Sequence, residues 1–97
     1  MATYKKGDQE RLDYGFDWSA LMTAEGVEIS SSVWTVPAGL TNEGEGSSST
    51  ATSITLSGGT IGESYLVTNE ITTTSNGSTT LVFERSFYIV IVETKFK

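Results

Sequence analysis

From Leu12 to Trp18 the large apolar side chains fall on every second position, with Asp13, Gly15 and Asp17 between Leu12, Tyr14, Phe16 and Trp18. A two-residue period places these four on one face of a strand. The same period returns in "VEISSSVWTV" (residues 27–36), where it slips at Val33–Trp34 and predicts a bulge or twist. "PAG" at 37–39 carries the turn chemistry that ends this strand. "TSITLSGG" gives a short strand with Ile54 and Leu56 on one face, followed by a turn that Gly58, Gly59 and Gly62 permit. "LTNEGEGSSST" (40–50) is too polar and too rich in Gly and Ser to bury anything, and reads as a solvated loop. No stretch of ten or more residues repeats with a helical period. The best helical candidate, "WSALMTAEG" (18–26), is short and Gly26 would end it, so a single turn or a loop is expected.

The last third carries the clearest pattern. Tyr65, Val67, Asn69 and Ile71 share one face, and so do Leu81, Phe83, Arg85, Phe87, Ile89 and Ile91, with "SNGS" between the two runs. That is a hairpin signal. A two-residue turn at Asn76–Gly77 would pair odd positions with even ones and mix the faces. A loop of three or five residues pairs odd with odd and sets Tyr65, Val67 and Ile71 beside Phe83, Phe87 and Ile89. Burial favours the odd loop, with Gly77 left-handed. Asn69 and Arg85 then become neighbours, and Asn69 is the first candidate partner for a buried or half-buried guanidinium. The final strand is apolar on both faces, since Tyr88, Val90 and Val92 alternate with the inward set. Such a strand is central in its sheet, or covered by another chain.

The count is about six or seven short strands with turn signals between them. This predicts an all-β chain folded as an immunoglobulin-like antiparallel β-sandwich. Residues 1–10 are polar and read as an extended N-terminal arm, with 11–97 forming one sandwich domain. Trp18, Trp34, Tyr65, Asn69, Gly77, Arg85 and Phe87 are the structural positions of this scheme.

Composition narrows the chemistry. There is no cysteine and no histidine, which removes disulfides and the usual zinc sites. Six basic residues stand against twelve acidic ones, a net charge of −6 that argues against nucleic acid as the main partner. The basic residues gather at the ends: Lys5, Lys6 and Arg11, then Lys95 and Lys97, with Arg85 alone between them. "MATYKKGDQE" has no apolar run to make a signal peptide, and "FYIVIVE" is far too short to span a membrane. Neither a membrane nor a small-molecule substrate is expected as partner, and no cofactor is called for.

Catalysis finds no nucleophile–base pair in this sequence. Asp13 and Asp17 lie four apart on one strand, about 13 Å by strand rise, which is wide for cooperating carboxylates. Calcium would require Asp13, Asp17, Asn42, Glu43 and Glu45 to converge, and "TNEGEG" lacks a recognised loop spacing. Tyr14, Phe16, Trp18 and Trp34 either fill a core, line a sugar-binding face, or, for the first strand, pack into a neighbouring subunit.

Four stretches taken in order, "LDYGFDWS", "VWTVPAGL", "LSGGTIGESYLVTNEITT" and "ERSFYIVIVE", resemble small tailed-phage virion proteins of the fiber–tail adaptor type, from about Leu12 to Glu93. The resemblance implies an immunoglobulin-like module of the virion, assembled in the host cytoplasm. Its place is the tail or neck, where it joins tail fibers or other components without catalysis or cofactor. Its partners would be other virion proteins and copies of itself in a ring. "KKGDQER" stands where such proteins carry an acidic Asp-Pro-Asp type stretch, and Ser78 stands where they carry a basic residue after the hairpin Gly. Tyr4, Lys5, Lys6, Arg11, Tyr14, Phe16 and Tyr88 are the expected partner-binding residues. A capsid decoration protein and a carbohydrate- or surface-binding module are the alternatives.

Overall fold

The computed structural model describes residues 2–75, 77 and 79–93. Asn76, Ser78, Lys95 and Lys97, which entered the reading above, lie outside them. In chain order the elements are β1 (Ala2–Gly7), β2 (Leu12–Asp17), α1 (Ser19–Glu25), β3 (Ile29–Thr35), β4 (Leu40–Ser47), β5 (Ala51–Gly58), β6 (Ser64–Thr73) and β7 (Val82–Val92). They form a sheet of order β1-β7-β6-β3 facing a sheet of order β2-β5-β4. The chain is an all-β sandwich. Lettered in sequence, β2-β5-β4 facing β7-β6-β3 is B-E-D facing G-F-C, the strand order of immunoglobulin-type sandwiches. One pairing departs from the antiparallel expectation: β1 runs parallel to β7, with Tyr4 beside Ile89 and Lys6 beside Ile91.

The hairpin register follows from burial as the sequence predicts. Val67 faces Phe87, Asn69 faces Arg85 and Ile71 faces Phe83. Val67, Ile71, Phe87 and Ile89 are all essentially inaccessible to solvent. Gly77 is left-handed at φ 77°. The loop has odd parity but is longer than three or five residues, because the ladder ends at Thr72–Val82. Beyond it the Thr73 hydroxyl takes the Leu81 amide, and the Thr74 amide turns to the Glu28 carbonyl. The Thr73 amide still reaches the Leu81 carbonyl at 2.9 Å, so the chain leaves its partner strand at Thr74, before the Gly turn.

Three elements differ from expectation. Residues 40–47 form a strand, β4, rather than a loop, paired with β5 through a bulge between Asn42 and Gly44. Every β4 residue after Leu40 is exposed, so backbone pairing alone defines it and no apolar pattern marks it. The bulge in β3 lies at Ile29–Ser31, and the ladder runs unbroken through Val33 and Trp34. Val33 simply points outward while Trp34 points in. Residues 19–25 make a seven-residue helix rather than a single turn, closed by Gly26 in the left-handed conformation at φ 69°. So short a helix is marginal by propensity. Tertiary burial holds it, because Trp18 and Met22 pack with Val27 and Ile71 in a cluster of their own. At its start the Ser19 amide donates to the Asp17 carboxylate at 2.9 Å. Hydrogen bonds from the Ser19 side chain and backbone hold that carboxyl below its usual range.

The main core joins Trp34, Leu40, Ile54, Leu56, Val67, Phe87, Ile89 and Ile91, with Tyr14, Phe16 and Tyr65 packed against it. Tyr65 stands at the entry to β6, where its hydroxyl accepts the Thr60 amide at 3.0 Å. Its ring lies over Gly39; a Cβ there would come within 2.8 Å of it. This fixes the "PAG" turn and the "GGTIG" turn to one another.

Candidate functional site

Residues expected to bind a partner prove to divide between interior and surface. Tyr14 and Phe16 point into the sandwich from β2, as the period-two pattern requires. Tyr14 stacks on Phe87 with centroids 5.3 Å apart, and Phe16 stacks on Trp34 at 5.9 Å. Tyr4 comes from β1 to close the same side, 5.5 Å from both Tyr14 and Phe87. The opening aromatics therefore complete the core of their own chain.

Lys6 is the clearest correction. It is fully buried, so it cannot reach a partner as the sequence reading proposed. Its ammonium donates to the Gly7 carbonyl at 2.8 Å and the Gly58 carbonyl at 2.7 Å. Burial lowers its pKa, opposed by the charges of Glu10 and Asp8. Residues 2–7 form an edge strand docked on β7. Arg11 remains at the surface and faces Glu43 at 3.7 Å, an exposed pair of little energetic weight. Lys5 is exposed beside Val90.

Asn69 and Arg85 share a rung but do not bind one another. The Asn69 carbonyl accepts Trp18 Nε1 at 3.2 Å and Thr52 Oγ1 at 2.7 Å, and its amide donates to Ser32 Oγ and the Val33 carbonyl. Arg85 is exposed rather than half-buried. Its guanidinium lies over the Trp18 ring at 4.2 Å and donates to the Asp17 carbonyl. Asn69, on β6, ties β3, β5 and the start of α1 together at the middle of the sandwich, and Arg85 covers the indole from outside.

Both tryptophans are buried, so the aromatic groove needed by the carbohydrate reading is not built from them. Asp13, Glu43 and Glu45 each accept from a neighbour on their own sheet: Thr55, Ser57 and Asn42. Among the described residues no three acidic side chains gather closely enough to hold a metal ion.

The two outer faces differ. The face of β2-β5-β4 shows Asp13, Gly15, Ser53, Thr55 and Ser57, all small or polar. The face of β1-β7-β6-β3 shows Val33, Leu66, Val82 and Tyr88, exposed by 57, 42, 59 and 41%. Residues 6–90 match the family described as podophage GP4 fiber-tail adaptor protein gp77. The chain belongs to that family. The comparison with curated proteins finds no match.

A gp77-type adaptor is a structural component of the phage tail and therefore of the virion, and it works by contact with other tail components. Sequence reasoning singled out Tyr88 and passed over Leu66 and Val82, and Val33 on β3, which are exposed on the same sheet face. The signal was present: once odd pairs with odd across the hairpin, the even positions of β6 and β7 share the opposite face.

Proposed function

We propose that this gp77-family chain is a non-enzymatic connector at the tail or neck of the particle, present in several copies arranged as a ring and joining tail fibers or neighbouring components. The observation that carries this reading is the span of the family match. It begins at Lys6 and runs through the hairpin to Val90, so it covers β2 to β6 entire and all but the last two residues of β7. The sandwich supports it physically: its interior is closed by aromatic packing, and its distinctive chemistry lies on outer sheet faces suited to contact. The family match favours the tail over the capsid lattice, where a decoration protein would sit.

The test is genetic and visual. Phage propagated without a functional copy of this gene should yield particles with intact heads and no attached fibers. A map of intact wild-type particles should show the sandwich at the fiber attachment point, at a copy number set by tail symmetry. Fibers attached at normal occupancy in its absence, or density for it only on capsid lattice positions, would overturn the reading.

A further inference from the structure

On the outer face of the four-stranded sheet, the ladder sets Glu70 directly across from Glu84, and Val33 lies beside Glu70 in the same row. Val82 stands one row away, opposite Thr72. Both carboxylates are exposed, and neither has a hydrogen bond or ion pair among the described residues. Like charges directly opposite on adjacent strands destabilise a sheet. Here they sit amid apolar side chains that a solvated face does not need. Two rows further along, Leu66 faces Tyr88, with the hydroxyls of Thr68 and Ser86 hydrogen-bonded to each other between. The strands are β6 and β7, which have ladder partners on both edges, so a partner cannot add a strand here and must seat on the face.

We propose that this face is the seat of a tail protein that offers a lysine or arginine to the Glu70–Glu84 pair and apolar groups to Val33, Val82, Leu66 and Tyr88. The inference rests on the adaptor reading and adds which face binds and what chemistry it meets. Charge decides against a second copy as the occupant. Lys5 is the one cation that the described strands place on this face, and it lies in the row of Val90. That row is about 20 Å along the sheet from Glu84. Two copies face to face would crowd four carboxylates into one contact and bring a net charge of −6 each. A cationic partner instead relieves a repulsion already present in the free chain.

The experiment loads purified adaptor onto tail particles assembled without it and counts bound copies per particle. Wild-type protein should load to saturation, less tightly as salt rises. Glu70→Lys with Glu84→Lys should reduce loading at least tenfold while the isolated protein stays folded, and Glu84→Lys alone serves if the double variant does not fold. Leu66→Ser should weaken loading with an unchanged salt dependence. Ser53→Lys and Asp13→Lys, on the other sheet, should load as wild type. Loading unaffected by charge reversal but lost in Ser53→Lys or Asp13→Lys would place the seat elsewhere and leave the adaptor reading standing. Wild-type protein that does not load at all would overturn both. Self-association through Tyr88 that excludes the particle would replace the cationic partner with a second copy.

Discussion

Three buried polar groups in this sandwich respond differently to substitution, because their hydrogen bonding differs. Asn69 is satisfied on both ends of its amide. Replacing it with Ala strands the Val33 carbonyl and a hydroxyl and leaves a cavity, so urea unfolding should show a loss of about 3 kcal/mol. Tyr14 is the opposite case: its buried hydroxyl has no hydrogen-bond partner among the described residues. Tyr14→Phe keeps the stacking on Phe87 and should leave stability unchanged or raise it by about 1 kcal/mol. Burial, with Glu10 and Tyr4, raises the Tyr14 pKa above 10.0. Its contribution is therefore complete below that value and lost as pH rises through the folded pKa, a loss absent from the Phe variant. Lys6 has the contrary sign. Its folded pKa lies below 10.5, so between the two values the unfolded chain binds more protons and stability rises with pH. The stability difference between wild type and Lys6→Met should grow in favour of wild type as pH climbs toward 10.5. A flat difference would mean that the lysine is not buried in solution.

Among the elements, β1 shows how a sequence reading and a structure part company. Its residues carry too few apolar groups to announce a strand, and an arm that leaves the fold intact on removal is the natural expectation. In the structure β1 supplies Tyr4 to the aromatic cluster and occupies the edge of β7. Deleting residues 1–7 should therefore expose Phe87 and cost about 2–3 kcal/mol in chemical denaturation, in addition to any effect on assembly. Unchanged stability would show that β1 undocks in solution. What was legible follows the same logic throughout. The β6–β7 register was readable because a one-residue slip would have turned four core residues outward. Strand β2 was readable from the alternation of Leu12, Tyr14 and Phe16. The elements that were missed bury little of their own: β4 buries Leu40 alone and is otherwise defined by backbone pairing with β5, and α1 buries Met22, which packs with Trp18 against distant Ile71. Of the candidate site, Tyr88 was visible as an apolar residue on the wrong face. Leu66 and Glu70 fall on that face once the hairpin pairs odd with odd, but Val33 joins them only when β3 is laid beside β6, and the β3–β6 register was not readable from a strand with a bulge at Ile29–Ser31.

At the scale of the whole molecule, shape and charge bear on whether the exposed face associates with itself. The sandwich measures 52 × 23 × 22 Å, with a radius of gyration of 15.1 Å. A compact chain of this length would have about 12–13 Å. The elongation has a cause in strand length: β6 and β7 run for ten and eleven residues, against six in β2. The long strands create an outer face large enough for apolar contact, and the Glu70–Glu84 pair sits in the middle of its apolar residues. Those carboxylates discourage two copies from meeting there, because each would bury an uncompensated pair of charges against another. Small-angle scattering of the free wild-type protein at physiological salt should accordingly give the mass of one chain and a radius near 15.1 Å, at every concentration tested. Glu70→Gln with Glu84→Gln removes the repulsion and leaves Val33, Val82, Leu66 and Tyr88 unopposed. That variant should gain mass with concentration, while the further change Tyr88→Ser should return it to one chain. A wild-type protein already dimeric under these conditions would mean that the carboxylates do not guard this face, and a double-Gln variant that stays monomeric would mean that its apolar residues are too few to drive association.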